Sequence, residues 1–181
     1  RKIDVVGKID IYKFLENKSL EDVFAGFEFD NNLCLGDCIV FTDTSIGSVV
    51  EWMWDFGAGA TPATSTDQNP RVCFTSTGEF SVTLTVTSFY GQIKTATNSI
   101  TVNELPVIEA FYDTIITLGG NADLISSTLN DGSIEWEPTY RVPCPDCPVT
   151  TASPSESTTY TVTITDINGC VDSDTLMVLV N

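Results

Sequence analysis

Trp52-Met-Trp-Asp-Phe-Gly-Ala-Gly59 and, further on, Gly78-Glu-Phe-Ser-Val-Thr-Leu-Thr-Val-Thr87 decide the fold class of this 181-residue chain. The first stretch places Trp52, Trp54 and Phe56 on one face at period two and then stops at two glycines. The second alternates Phe80, Val82, Leu84 and Val86 with Ser81, Thr83, Thr85 and Thr87. Such alternation makes one face dry and the other wet, as in antiparallel strands laid against a core.

Outward from these two runs, Gly, Pro, Asn and Ser clusters separate further short alternating runs. Strands are expected at 25–29, 38–43, 49–56, 71–75, 79–87 and 94–102, then at 108–112, 122–126, 133–137, 158–165 and 172–180. Val86-Thr-Ser-Phe-Tyr-Gly91 lines up with Ile164-Thr-Asp-Ile-Asn-Gly169, 78 residues later, and a last strand follows each. The chain therefore reads as all-β, two antiparallel β-sandwiches in tandem. Residues 24–103 form one module, Glu104-Leu-Pro106 a linker and residues 107–181 the other. Residues 1–23 stand apart by their basic charge, as a lead-in or the tail of a preceding module.

The net charge is −17, and from residue 19 onward 22 acidic residues face 3 basic ones. Such a surface repels phosphate backbones and anionic headgroups, which argues against nucleic acid as a partner. No apolar run reaches about 18 residues, so no membrane insertion is expected. No basic-then-apolar leader is visible either, which suggests a mature form or an excised piece. Six cysteines, abundant Ser and Thr, and short strands suit an extracellular protein.

The chain has no histidine. Ser-His-Asp and Cys-His catalysis and His-ligated zinc are thereby removed, along with the usual neutral-pH base, and no enzyme is expected. Glu135 and Glu137 flank Trp136, so both project to the wet face rather than across a cleft as a glycosidase requires. Trp52, Trp54 and Trp136 fall on core parity. Phe89 and Tyr90, just before Gly91 at a hairpin tip, are the better aromatic candidates for ligand contact.

Cys144-Pro-Asp-Cys147 has redox or zinc half-site spacing, but it lacks a second pair or a βαβ context and reads as a structural disulfide. If Ile39, Phe41, Val72 and Phe74 point inward, Cys38 and Cys73 both point outward on neighbouring strands, and a cross-strand disulfide is feasible. Cys34–Cys38 is the rival pairing. No cofactor is required. Calcium is the one ion to consider, through Asp166, Asn168, Asp172 and Asp174, with Asp37 and Asp43 a weaker set. Plain turn chemistry accounts for the same residues.

Trp54-Asp-Phe-Gly-Ala-Gly59, Gln68-Asn-Pro70 and Gly78-Glu-Phe-Ser-Val-Thr-Leu-Thr-Val86 together resemble the PKD domain, whose usual signature is W-D-F-G-D-G followed by N-P and G-x-Y-x-V-x-L. Ala58 departs from it, standing where the family normally has aspartate. Ile134-Glu-Trp-Glu-Pro138, Cys144-Pro-Asp-Cys147, Thr158-Thr-Tyr-Thr-Val-Thr-Ile-Thr165 and Asn168-Gly-Cys170 resemble Ig-like repeats of secreted Bacteroidetes proteins. The resemblance implies large surface or secreted proteins exported by the type IX system, including gliding adhesins. It implies a non-catalytic spacer role, with neighbouring modules, other surface proteins or polysaccharide as partners. An accessory binding module of a secreted hydrolase is the alternative.

The resembled repeats also pair an early cysteine with the Asn-Gly-Cys cysteine of the same module. Here Gln92 follows Gly91, and Leu118 stands near the early position of the second module. Cys34 and Cys170 are thus left as free thiols or as partners across modules or chains. Asp113-Thr-Ile115 and Asp174-Thr-Leu176 resemble the Bacteroidetes O-glycosylation pattern, making Thr114 and Thr175 candidate acceptors. Leu176-Met-Val-Leu-Val180 is apolar on both faces, so Met177 and Leu179 are expected to meet a neighbouring module or subunit.

Overall fold

The computed structural model describes residues 22–30 and 33–181, and most of the 1–23 lead-in lies outside them. The described residues contain no helix, and none therefore long and apolar enough to cross a membrane. The chain forms two compact units. The division falls inside a strand, between Ile100 and Thr101, and residues 33–35 group with the second unit.

The first ten strands are β1 (Phe27–Glu28), β2 (Leu33–Cys34), β3 (Cys38–Val40), β4 (Thr42–Asp43), β5 (Val49–Asp55), β6 (Ala60–Thr61), β7 (Thr64–Ser65), β8 (Arg71–Phe74), β9 (Gly78–Ser88) and β10 (Ile93–Asn103). One sheet has the order β2-β10-β9-β5-β7, a second β3-β8-β6, and β1 pairs with β4. The alternation of β9 is carried through: Val82, Leu84 and Val86 are buried, while Thr83 and Thr85 meet Thr97 and Thr95 of β10 through their hydroxyls on the other face, each pair at 3.2 Å.

The core of the first unit is a stack of rings. Trp54 lies parallel to Phe56 at 5.7 Å, Phe41 packs on Phe56 at 4.9 Å, and Phe27 meets Trp54 edge-on at 5.2 Å. Burying each such side chain contributes about 1.5–3 kcal/mol, and aromatic geometry adds about 0.5–1.5 kcal/mol per pair. Val23 is also buried, so the packed interior reaches one residue ahead of the expected start at residue 24.

The second unit carries β11 (Ile108–Phe111), β12 (Thr114–Ile116), β13 (Ala122–Thr128), β14 (Gly132–Glu137), β15 (Val149–Ala152), β16 (Thr158–Asp166) and β17 (Val171–Val180). Its sheets have the orders β11-β13-β15 and β12-β17-β16-β14. β11 runs antiparallel to β13, while β12 runs parallel to β17, so the chain crosses from one sheet to the other between residues 111 and 114. The core is mainly aliphatic, built by Ile108, Leu124, Val162, Ile164, Leu176 and Val178 around Trp136 and Tyr160.

The hairpin tips of the two units are built alike. In each, a side-chain oxygen, Ser88 Oγ or Asp166 Oδ1, accepts the N–H four residues on, from Gln92 at 3.1 Å or Cys170 at 2.8 Å. The backbone repeats the match: Ser88 and Asp166 donate to Gln92 and Cys170 carbonyls, and Gly91 and Gly169 donate back to Ser88 and Asp166. Gly91 and Gly169 sit at φ 77° and 83°, where a side chain clashes with its own backbone.

Candidate functional site

Three disulfides join the six cysteines, and none is free. Cys38 and Cys73 are direct cross-strand partners of β3 and β8, with Cα atoms 3.9 Å apart. Cys144 and Cys147 close a three-residue step. Cys34 pairs with Cys170, Cα atoms 5.6 Å apart, across 136 positions of chain. That overturns the free-thiol alternative for Cys34 and Cys170. Cys170 is fully buried. Cys144, Asp146 and Cys147 bring donor atoms within 4.8 Å of one another, but both sulfurs are spent in the disulfide.

The acidic residues considered for calcium accept hydrogen bonds, mostly from backbone amides. Asp166 Oδ1 accepts from the amides of Asn168 and Cys170, and Asp166 Oδ2 from the Asn168 side chain. Asp172 Oδ2 accepts from Ile108 N at 3.4 Å and Asp174 Oδ2 from Ala110 N at 2.8 Å, while Asp113 Oδ1 accepts from Met177 N at 2.7 Å. Carboxylates two residues apart on β17 thus satisfy amides two residues apart on β11, where a paired strand would otherwise stand. Hydrogen bonds from Ala110 and Thr175 hold Asp174 below the ordinary carboxylate range.

Asp43, from the weaker set, is a structural hub. Its carboxylate accepts from Trp52 Nε1 at 2.7 Å, Gln68 Nε2 at 3.1 Å and Ser45 N at 2.9 Å, and its own amide donates to Asn69 Oδ1. Burial pushes its pKa up, and the bonds from Ser45, Trp52 and Gln68 outweigh that and lower it. This corrects the core reading of Trp52: a register shift between Val49 and Glu51 starts the strand irregularly, and the indole lies half-buried with its N–H on Asp43. Trp54 and Trp136 are fully buried and donate to Asp67 O at 2.9 Å and Cys147 O at 3.0 Å.

Residues 25–102 match the family described as "PKD domain". They form a PKD domain. A stretch of 99 residues is 41% identical to the pre-pro-metalloprotease PrtV of Vibrio cholerae, covering 51% of this chain and 10% of that protein. A stretch of 75 residues is 36% identical to a microbial collagenase of Vibrio alginolyticus, covering 39% of this chain and 9% of that one. Among solved structures, the PKD1 domain of Vibrio cholerae PrtV is 36% identical, with a TM-score of 0.38, over 44% of this chain and 94% of that one. The chain thus spans about a tenth of the curated relatives it matches. These relatives are Vibrio enzymes, not Bacteroidetes adhesins, so they do not carry the adhesin or type IX expectations.

The PKD signature residues have structural work in this chain. Trp54 and Phe56 are the ring stack, and the Gln68-Asn69 turn grips Asp43. The exposed candidates lie elsewhere. Phe89 is 73% exposed and meets Tyr90 edge-on at 5.4 Å at the β9–β10 tip. Glu135 and Glu137 are exposed, Thr175 is exposed and Thr114 half-buried. Met177 and Leu179 lie on the outer face of β17, with Ile115 directly beside Leu179.

The sequence reading missed an aromatic site on the second unit. Tyr140 is 66% exposed, and the Arg141 guanidinium sits over its ring at 5.1 Å. Arg141 has φ 60°, unusual for a side-chain-bearing residue. Only the aromatic-basic pair in a long connection between strands signals it in the sequence.

Proposed function

We propose that this chain is a non-catalytic segment of an extracellular protein, serving to space and support another, functional domain. The observation that carries this reading is the PKD domain at residues 25–102, whose similar stretch is only a tenth of a metalloprotease. The buried aromatic residues support it, since Trp54, Phe56, Trp136 and Tyr160 fill interiors and do not line a site. Disulfides suit an oxidising compartment. The finer form of the reading is a spacer in a large surface adhesin. In that setting Met177 and Leu179 pack on a neighbouring module, and exposed Thr175 is a better glycan acceptor than half-buried Thr114.

The test is replacement. Residues 22–181 are exchanged in the parent protein for an unrelated pair of β-sandwiches of equal length. Retained adhesion or hydrolysis supports spacing, and loss with intact export and folding overturns it. The second reading, an accessory module that binds polysaccharide or protein, is favoured by the exposed rings of Tyr140, Phe89 and Tyr90.

A further inference from the structure

We propose that the connection between β14 and β15 in the second unit builds a binding site for a neutral pyranose oligosaccharide, with Tyr140 as its platform. A shallow cleft of about 510 Å³ is lined by Glu137, Thr139, Tyr140, Thr159 and Thr161 together with Pro138. The pattern suits a pyranose. A sugar ring whose hydroxyls are equatorial presents a flat C–H face, which an aromatic ring accepts, and a rim of hydroxyls, which carboxylate and hydroxyl groups accept or donate to. Glu137 and Thr161 are direct cross-strand partners, and Thr159 lies two residues along the same face. Carboxylate and hydroxyl thus stand side by side on one face of the sheet, within reach of neighbouring hydroxyls of one sugar.

The platform is held before any ligand arrives. Arg141 occupies one side of the Tyr140 ring and is itself tied to Ser153 O at 3.1 Å through Nη1. Val142, the next residue, is buried in the core and its amide donates to Thr139 O. Further along, Cys144–Cys147 closes the loop, while Trp136 grips it twice, N to Pro145 O at 2.7 Å and Nε1 to Cys147 O at 3.0 Å.

A disulfide across so short a step removes little entropy from the unfolded chain, so its effect is to fix local shape. An exposed aromatic on a loop with this many restraints loses little freedom on binding. A backbone outlier at Arg141 beside the platform fits the same account, since strained φ values persist where surrounding bonds over-determine them. Charge sets the class of sugar. Exposed Glu135 and Glu137 and the net charge of −17 disfavour uronate or sulfated polymers, which leaves a neutral chain.

This deepens the binding reading given above and supplies its site. The test uses the full 181-residue chain in affinity gels containing barley β-glucan, hydroxyethylcellulose, xyloglucan, galactomannan or alginate. Wild type is expected to be retarded by at least one neutral polymer and not by alginate. Tyr140→Ala is expected to weaken that binding by about tenfold or more, and Glu137→Gln by about threefold. Phe89→Ala and Tyr90→Ala are expected to leave it unchanged. A thermal melt checks that each variant is folded, and Glu137→Gln, a surface change, keeps the test alive if Tyr140→Ala is not. No retardation by any neutral polymer, or retardation only by alginate, overturns the proposal. Binding that survives Tyr140→Ala or disappears with Phe89→Ala overturns this site while leaving the binding reading standing.

Discussion

The two units solve one packing problem with different materials. The first fills its sandwich with stacked rings, Phe27, Phe41, Trp54 and Phe56, whereas the second uses Ile, Leu and Val around a single indole. The framework around the fillings is shared: each buried indole donates to a backbone carbonyl 13 or 11 residues on, and each last hairpin turns through the same set of bonds. The turn and the indole anchor are thus common to both units, while their cores differ in composition.

Breaking the unlike parts and breaking the longest cross-link should have the largest effects. Trp54→Ala is expected to cost about 4–5 kcal/mol and Trp136→Ala about 3–4 kcal/mol in urea unfolding, because the first indole also loses its ring partners. Equal costs would mean that the ring stack adds nothing beyond volume. The cross-links should rank by loop length. On the chain-entropy model, Cys34→Ser with Cys170→Ser should lose about 5 kcal/mol and Cys38→Ser with Cys73→Ser about 4 kcal/mol, against about 2 kcal/mol for Cys144→Ser with Cys147→Ser. Midpoints of denaturant melts that do not follow this order would show native-state effects outweighing loop closure.

The shared turn gives a smaller, sharper test. Gly91→Ala and Gly169→Ala each force a side chain into positive φ and should cost about 1–2 kcal/mol, the same in both units. A twofold difference would break the equivalence. Smallest is a pH effect. Asp174 has a folded pKa below its unfolded value, so it stabilises above about pH 4 and loses that contribution as pH falls through the folded value. Asp174→Asn should flatten the acid limb of the stability curve of the second unit, read by melts between pH 2 and 6.

What the sequence disclosed follows from period. β9 and β16 are 11 and 9 residues long, with alternation sustained over several turns of the pleat, and their inward and outward sides were readable directly. Two-residue strands such as Leu33–Cys34, Ala60–Thr61 and Thr64–Ser65 have no period to read. The bonds of Asp172 and Asp174 to the Ile108 and Ala110 amides could not be read from the sequence, because the partners lie 64 residues away. Tyr140 escaped notice for a related reason: exposure and a positive φ at Arg141 are consequences of the folded connection and leave no mark in composition.

The Cys34–Cys170 bond makes residues 34 to 170 a closed ring of chain. A single peptide cleavage anywhere inside that ring, by any protease the molecule meets, opens the ring without shedding a fragment. On a gel the nicked molecule keeps its full mass until a thiol is added. Shedding a piece of that ring therefore takes a second event, another cut or a reduction, where a chain without the bond needs only one cut.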